Sequence, residues 1–425
     1  MTPEQIEQLG PAFGDYLDQF LFCCDYTQTF HLLGVYCRGL LSDLDRKTCE
    51  PMALAAGVAV RTLQEFLRDH RWSFDRARTQ LQQHVAATLA GVPGDDLGTV
   101  GLYDETGTVK DGTATPGVQR QYCGEVGKVE NCIVTVHTGV AKGRYKTLCD
   151  ADLFLPESWD QDRDRCRRAG IPEDVRYRPK WQIALGQLDR ALANGLTFDW
   201  FTFDEGYGDK PGYLRGLDER GLRYVGEVPK SFRCFGRRPP PGRKASRADD
   251  LVRHSPRFAR QPWHVLRLPR QTLGDQTWEV KAARVWLPGS GGRTYWLLWV
   301  RNGRTGEEKY FVSSAAASEP VGRMVRAGFC RWNVEHGIRL GKSEVGFRHF
   351  EGRSYVGLMR HLVLCCVTLT FAAGQAAELR GEKPGGDGGA GLPGAQLGVR
   401  GVAGSAAGDE RTPVHGRGHR VPPAA

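Results

Sequence analysis

The sequence predicts an α/β fold: a mixed β-sheet with flanking helices, preceded by a helical segment and interrupted by a β-rich insertion. Three observations predict it. Apolar residues recur at helical spacing through roughly the first 90 residues, with no strand-like alternation. From Thr99 onward, short apolar runs bounded by turn residues alternate with helical stretches, the pattern of strands and helices sharing one sheet. Between about 231 and 320 that alternation stops, and β-rich segments separated by Gly-rich turns replace it.

The first segment, 1–95, carries its helical stripe in Tyr16, Phe20, Phe22, Leu32, Leu33, Tyr36, Leu40, Leu41 and Leu44. Within it, residues 51–58 followed by 59–67 fit two short helices joined at Gly57, a residue free to take the left-handed turn of a helix-turn-helix. Leu63, Phe66 and Leu67 then face inward. Arg61, Thr62, Gln64, Glu65 and Arg68 face outward, where a recognition helix carries contacts to bases and phosphates. The same pattern also serves an ordinary αα-hairpin in a helical bundle.

In 96–230, Val100-Gly101-Leu102-Tyr103-Asp104 reads as a strand ending in a carboxylate, and 131–137 and 145–151 as further strands. A helix over about 179–194 leads to a strand over 197–204 that again ends in a carboxylate, Asp204. A Gly-rich turn, a helix near 211–220 and a strand over 222–228 complete a β-β-β-α-β-α-β order. The stretch 231–320 opens with a basic, Pro-rich connection containing Arg237, Arg238 and Lys244. Its β-rich segments at 277–287, 294–302 and 309–313 then form an inserted meander. Trp286, Trp296 and Trp299 serve there either as core or as a stacking face for an unpaired base. Helical spacing resumes over 324–346 and 355–373, returning 321–373 to the sheet-bearing domain. Residues 374–425 are rich in Gly and Pro and poor in large apolar side chains, the composition of a disordered tail.

The 425 residues, 40% hydrophobic and 25% charged, exclude full disorder and exceed one ordinary domain. A formal charge of +9 points to polyanionic partners, nucleic acid first. Arg61 and Arg68 on the outward helix and Arg237, Arg238 and Lys244 at the insertion concentrate that charge where a DNA backbone is expected. The longest apolar run, 362–373, falls short of the ~20 residues a bilayer requires, and the first residues lack a signal-peptide pattern. The expectation is a cytoplasmic, nucleoid-associated chain with no membrane partner. Its 12 cysteines contain no C-x-x-C pair, which argues against a zinc ribbon.

Two strand-end aspartates of one sheet with a glutamate on a later helix form the constellation of two-metal phosphoryl-transfer sites, where hard oxygen ligands hold divalent ions about 4 Å apart. Asp104 and Asp204 are the strand-end pair, although a solvated turn or cap calls for such acids too. Glu335 is the third by geometry: at ~100° per residue, Arg331 lies about 40° and Lys342 about 20° from it, while Glu344 lies about 180° away. One acid flanked by two cations on a stripe suits metal and phosphate together; it is also a common surface pattern. Gly337 and Gly341 are out of place on a purely solvated helix.

At this point the sequence resembles a family. Arg331-x3-Glu335-x6-Lys342 is similar to the R-E-K part of the Y-x2-R-x3-E-x6-K signature of DDE transposases from bacterial insertion sequences. The blocks Asp104–Gly107, Arg120–Cys132, Leu153–Trp159 and Asp204–Asp209 are similar to blocks of one branch of it, so the resemblance runs over roughly 15–372. It implies a ribonuclease-H-like catalytic domain interrupted by the β-rich insertion, with Asp104, Asp204 and Glu335 holding two Mg²⁺ or Mn²⁺ ions. Arg331 and Lys342 are implied to contact phosphates of the transposon end. The implied partners are double-stranded DNA, as transposon ends and target, and a second copy of the chain on that DNA. Cleavage and strand transfer at inverted-repeat ends is the implied activity. The alternatives are a catalytically silent, transposase-derived DNA-binding regulator and a structure-selective nuclease on the same fold. The signature tyrosine falls at position 328, which is glycine.

Overall fold

The computed structural model describes residues 3–240, 242–268 and 276–381. Helices α1 (Pro3–Asp18), α2 (Thr27–Leu41), α3 (Cys49–Ala55), α4 (Val60–Arg68) and α5 (Phe74–Gly91) come first. Strands β1 (Val100–Val109), β2 (Gln119–Cys123), β3 (Lys128–Lys142) and β4 (Tyr145–Leu153) follow. Helices α6 (Glu157–Asp160), α7 (Arg163–Arg168) and α8 (Lys180–Ala193) lead to β5 (Trp200–Thr202), α9 (Glu205–Gly208), α10 (Pro211–Glu219) and β6 (Val225–Val228). The long β3 pairs antiparallel with β1 along one edge, and with β2 and β4 in succession along the other. β5 joins β1 in parallel. A mixed sheet flanked by helices results, as expected.

The insertion is more than a meander. A two-stranded hairpin of β7 (Arg233–Cys234) and β8 (Ser246–Arg247) is followed by α11 (Ala248–His254) and α12 (Pro256–Ala259). Then come β9 (His264–Leu268), β10 (Gln276–Trp286), β11 (Thr294–Asn302) and β12 (Glu308–Ser313). β6 does not stand in the first sheet as its place in the chain suggests. It forms the edge of a second sheet in the order β6-β12-β11-β10-β9. The two sheets meet where Phe201 N–H donates to the Arg223 carbonyl at 2.8 Å and Glu227 N–H to the Phe203 carbonyl at 3.0 Å, so the insertion prolongs the central sheet sideways.

The three tryptophans of the insertion do not share one stacking face. Arg284 lies opposite Trp296 and Trp286 opposite Thr294, whereas Trp299 lies opposite Lys281. Side chains alternate along a strand, so Trp286 and Trp296 point to one face and Trp299 to the other. All three are half-buried.

The helical stretch expected over 324–346 is two helices, α13 (Val321–Phe329) and α14 (Trp332–Ser343). The last, α15 (Tyr355–Gly381), runs past the boundary drawn at residue 373. Residues 376–379, Ala-Ala-Glu-Leu, are strong helix formers, and Ala377 still packs on the core. The rest of the tail expected to be disordered, 382–425, lies outside the described residues. Tyr355–Leu379 is long and apolar enough to cross a membrane, although no uninterrupted apolar run in it is, and 78% of its apolar window is buried inside the protein. That burial is the behaviour of a core helix.

α15 lies against β4 on one side and against α2, α4 and α5 on the other, and one apolar cluster runs through all of them. The N-terminal helices therefore close no separate core of their own. Polar groups fix the contact. Arg360 of α15 donates to the carbonyls of Phe66 (3.2 Å), Leu67 (3.0 Å) and His70 (2.7 Å), capping the C-terminal end of α4 with a cation. His361 binds the Gly346 carbonyl at 3.1 Å and Tyr36 Oη at 2.8 Å; a carbonyl only accepts, so Nε2 carries the proton and Nδ1 accepts from Tyr36. Below them, Arg78 of α5 and Arg190 of α8 converge on Asp150 and Asp152 of β4, with Arg78 Nε 3.3 Å and Arg190 Nη2 3.0 Å from Asp150.

Two outcomes follow from these buried groups. Arg360→Ala strands several carbonyls and should lower unfolding free energy by about 3 kcal/mol, read from urea midpoints. Burial pushes the His361 imidazole down to about 3, against an ordinary 6.5. Between those pH values the unfolded chain binds a proton that the folded chain refuses, so stability is full above pH 6.5 and declines as the pH falls. His361→Gln should remove about 1.4 kcal/mol per pH unit from that decline between pH 6 and 4, measured by urea unfolding across a pH series.

Candidate active site

β1 and β5 run parallel with Val100 opposite Trp200 and Leu102 opposite Thr202. The same offset carried two residues further sets Asp104 beside Asp204. β1 does not end at Asp104, as the apolar run suggests; it continues to Val109, with Asp104 paired to His137 of β3. The polar residues after Asp104 stay in the strand because β3 supplies backbone partners along its whole length. Asp204 does lie just past its strand, where its Oδ1 caps α9 by accepting the Tyr207 N–H at 3.2 Å.

α14 brings the third acid. It packs across β1, β3 and β4, with Gly337 facing Leu148 of β4 and Gly341 making room for the Phe347 ring in the chain after the helix. A Cβ on Gly341 would stand 2.4 Å from the Phe347 ring, and one on Gly337 would stand 3.4 Å from Leu148. Arg331 at the start of α14 is the hub: its Nη1 lies 3.4 Å from Asp104 Oδ2, and its Nη2 is ion-paired with Glu335. Asp104, Asp204 and Glu335 all act electrostatically on that guanidinium and hold its charge against the pull of burial. The Asp104 carboxyl is pushed up to about 7, first by burial, which Arg331 opposes, while Asp204 and Glu335 add to it as like charges. With the side chains as they stand, no three His, Cys, Asp or Glu among the described residues close around a single ion; Arg331 stands between two of the acids instead.

The other basic residues singled out in the sequence are elsewhere. Lys342, in the last turn of α14, does not reach the acids; it pairs with Glu125 in the turn between β2 and β3, as does Arg348. Neither Glu125 nor Arg348 stands out in a helical wheel, because their proximity exists only once the hairpin and α14 are packed. Arg61 and Arg68 lie on the exposed face of α4 with side chains 86% and 65% accessible, each beside an acid of its own helix end, Glu65 and Asp69. Gly57 takes a left-handed φ of +67° between α3 and α4, and Leu63, Phe66 and Leu67 are buried, which is the geometry the turn requires. Arg237, Arg238 and Lys244 are exposed. Phe235 bridges to Trp286 at the end of β10, and strand polarity through β6, β12, β11 and β10 puts that end away from Asp204. These three residues do not join the carboxylates.

Gly328 faces inward from α13. A Cβ there would stand 3.1 Å from the Phe311 ring and 3.5 Å from Val225, and its carbonyl accepts the Thr202 hydroxyl at 3.3 Å. A side chain at 328 has no route to the acids. Tyr355 lies in the Asp152–Arg78 neighbourhood rather than at the site, and Tyr207 is buried beneath Asp204 and Glu105, its hydroxyl held far above its ordinary value by burial.

Comparison with known proteins adds two findings. A family model described as DDE superfamily endonuclease matches residues 19–285, ending before α14. Over 326 residues the chain is 27% identical to the probable transposase for insertion sequence element IS701 of Microchaete diplosiphon, covering 75% of each chain.

Restoring the signature residue by Gly328→Tyr should overpack the α13–β12 contact and cost about 1–3 kcal/mol or more, seen as a lower melting temperature with no gain in DNA processing.

Proposed function

The chain belongs to the DDE superfamily of endonucleases, and from that premise we propose that it is a DNA transposase, cutting and joining strands at the inverted-repeat ends of an insertion sequence. The observation that carries this reading is the convergence of Asp104, Asp204 and Glu335 on one cation, from two parallel strands in matched register and a helix laid across them. Asp104 and Asp204 are partly buried and Glu335 stands at the rim with its side chain 43% exposed, an arrangement suited to holding positive charge.

Carboxylate oxygens are hard donors of the kind that bind Mg²⁺ or Mn²⁺, and the charge that burial first, and then Asp204 and Glu335, disfavour on Asp104 is one that a divalent cation would stabilise. Two bound ions supply activation of the attacking oxygen and stabilisation of the leaving one. Asp104, Asp204 and Glu335 are the residues that would hold them. Arg331, which pairs with Asp104 and Glu335, would be placed to bind the phosphate undergoing transfer, where its fork matches two oxygens. The exposed face of α4, with Arg61 and Arg68, serves as the recognition element for the ends, in keeping with the reading of 1–95 as the DNA-binding segment. Arg237, Arg238 and Lys244 offer a separate contact to the DNA backbone away from the acids. Joining two ends calls for two copies of the chain on the DNA, and the place of action is the nucleoid.

The test is cleavage, in Mg²⁺ or Mn²⁺, of duplexes carrying the inverted repeats that flank the coding sequence. Asp104→Ala, Asp204→Ala and Glu335→Ala should each reduce cutting by at least about a thousandfold while leaving binding of the ends in place. Wild-type protein that binds the ends and never cuts them would establish the silent regulator instead, and indiscriminate cutting of unrelated duplex would establish a nuclease.

A further inference from the structure

Lys342 and Arg348 reach a single carboxylate from two directions. Lys342 Nζ lies 3.3 Å from Glu125 Oε2, and Arg348 Nη1 lies 3.3 Å from Glu125 Oε1. A carboxylate taking one cation on each oxygen presents the same charge and the same pair of acceptors as a phosphodiester. Lys342 is the phosphate contact that the family resemblance implies; we propose that Arg348 completes that site as a second ligand to the same backbone phosphate, and that Glu125 occupies it until DNA displaces it. The inference rests on the DNA-processing function proposed above and deepens it: Arg348 becomes a second phosphate ligand, and Glu125 a competitor for the site.

Position supports it. Lys342 is seven residues beyond Glu335, about 10 Å along α14 and about 20° round it, a separation that a short stretch of one DNA strand spans. The hairpin that carries Glu125 folds back toward the same place. Gly107, three residues beyond Asp104 on β1, lies under Cys123, whose Sγ would stand 2.7 Å from any Cβ there. Arg348 is not free to wander, since Lys110 Nζ donates to its carbonyl at 3.2 Å and to that of Phe350 at 2.6 Å.

The hold of Glu125 is of a kind that can be exchanged. The outer face of the hairpin is exposed, with Tyr122, Val126 and Val129 accessible at 66%, 43% and 53%. Arg348, with its side chain 51% exposed, opens the pair to solvent, while Lys342 and Glu125 are 18% and 24% exposed; a phosphate brings the same charge together with the release of counterions. With Glu125 absent and no DNA bound, the two cations would face one another uncompensated, which accounts for an acid at this turn.

The experiment uses the full chain and a fluorescent duplex carrying the flanking inverted repeat, with anisotropy read in Ca²⁺ across a salt series. Glu125→Gln should bind the duplex about five- to tenfold more tightly than wild type, and Arg348→Ala about tenfold more weakly with a salt slope lower by about one. In Glu125→Gln/Arg348→Ala the gain from the first change should shrink, since the competitor and the ligand act at one place. Melting curves check folding, and Glu125→Ser, expected to act in the same direction, stands in should Glu125→Gln fail to fold. The proposal is overturned by Glu125 variants that melt lower yet bind no tighter, by an Arg348→Ala protein with unchanged affinity and salt slope, or by a wild type that binds no DNA. Cleavage in Mg²⁺, run in parallel, separates the two readings. Expected binding by the variants without cutting by wild type removes the catalytic reading alone; cutting by wild type with indifferent Glu125 variants removes this one alone.

Discussion

Like charges in a half-buried place repel, and the central region of this molecule is arranged around that fact. Asp104, Asp204 and Glu335 are brought near one another by three elements: two strands in parallel register and a helix packed across the sheet. The rise of the Asp104 carboxyl to about 7, where burial adds to its acidic neighbours and Arg331 opposes them, is the visible sign of that confinement. Arg331 relieves it by lying between Asp104 and Glu335.

The scaffold that enforces this confinement is an apolar helix sunk through the protein. α15 joins the sheet to the N-terminal helices, and the groups it carries inward are polar in only a few places. Arg360 closes the end of α4 and His361 closes the gap between α2 and the chain after α14. The exposed arginines of α4 are consequently held in a fixed relation to the sheet, because the buried side of α4 belongs to the same core.

Much of the fold was legible from periodicity. Helix α8, strand β11 and the α3–Gly57–α4 turn stand where spacing and a lone glycine put them, because each is decided by neighbours a few residues away. β9, α11 and α12 were not foreseen. β9 is short and lies at the sheet edge with Val265 exposed, so it carries no alternation strong enough to read. The end of β1 was misplaced because its polar second half is sustained by β3 rather than by its own side chains. The length of α15 was underestimated because composition alone cannot distinguish an Ala-rich last turn from the start of a Gly-rich tail.

The sequence by itself determined which residue types the site would contain. Asp104 and Asp204 follow short apolar runs, and Arg331, Glu335 and Lys342 share a helical stripe, since intervals of four and seven residues keep side chains on one face of an α-helix. Tertiary structure alone decided what those residues meet. Whether Arg331 would turn to Asp104 and whether Lys342 would find Glu125 depend on contacts between segments more than a hundred residues apart, and position 328 is crowded by Phe311 of a different element. The basic run at Arg237, Arg238 and Lys244 shows the same division: its charge is plain in the chain, but its place away from the acids follows from strand polarity through four neighbouring strands, which no local pattern encodes.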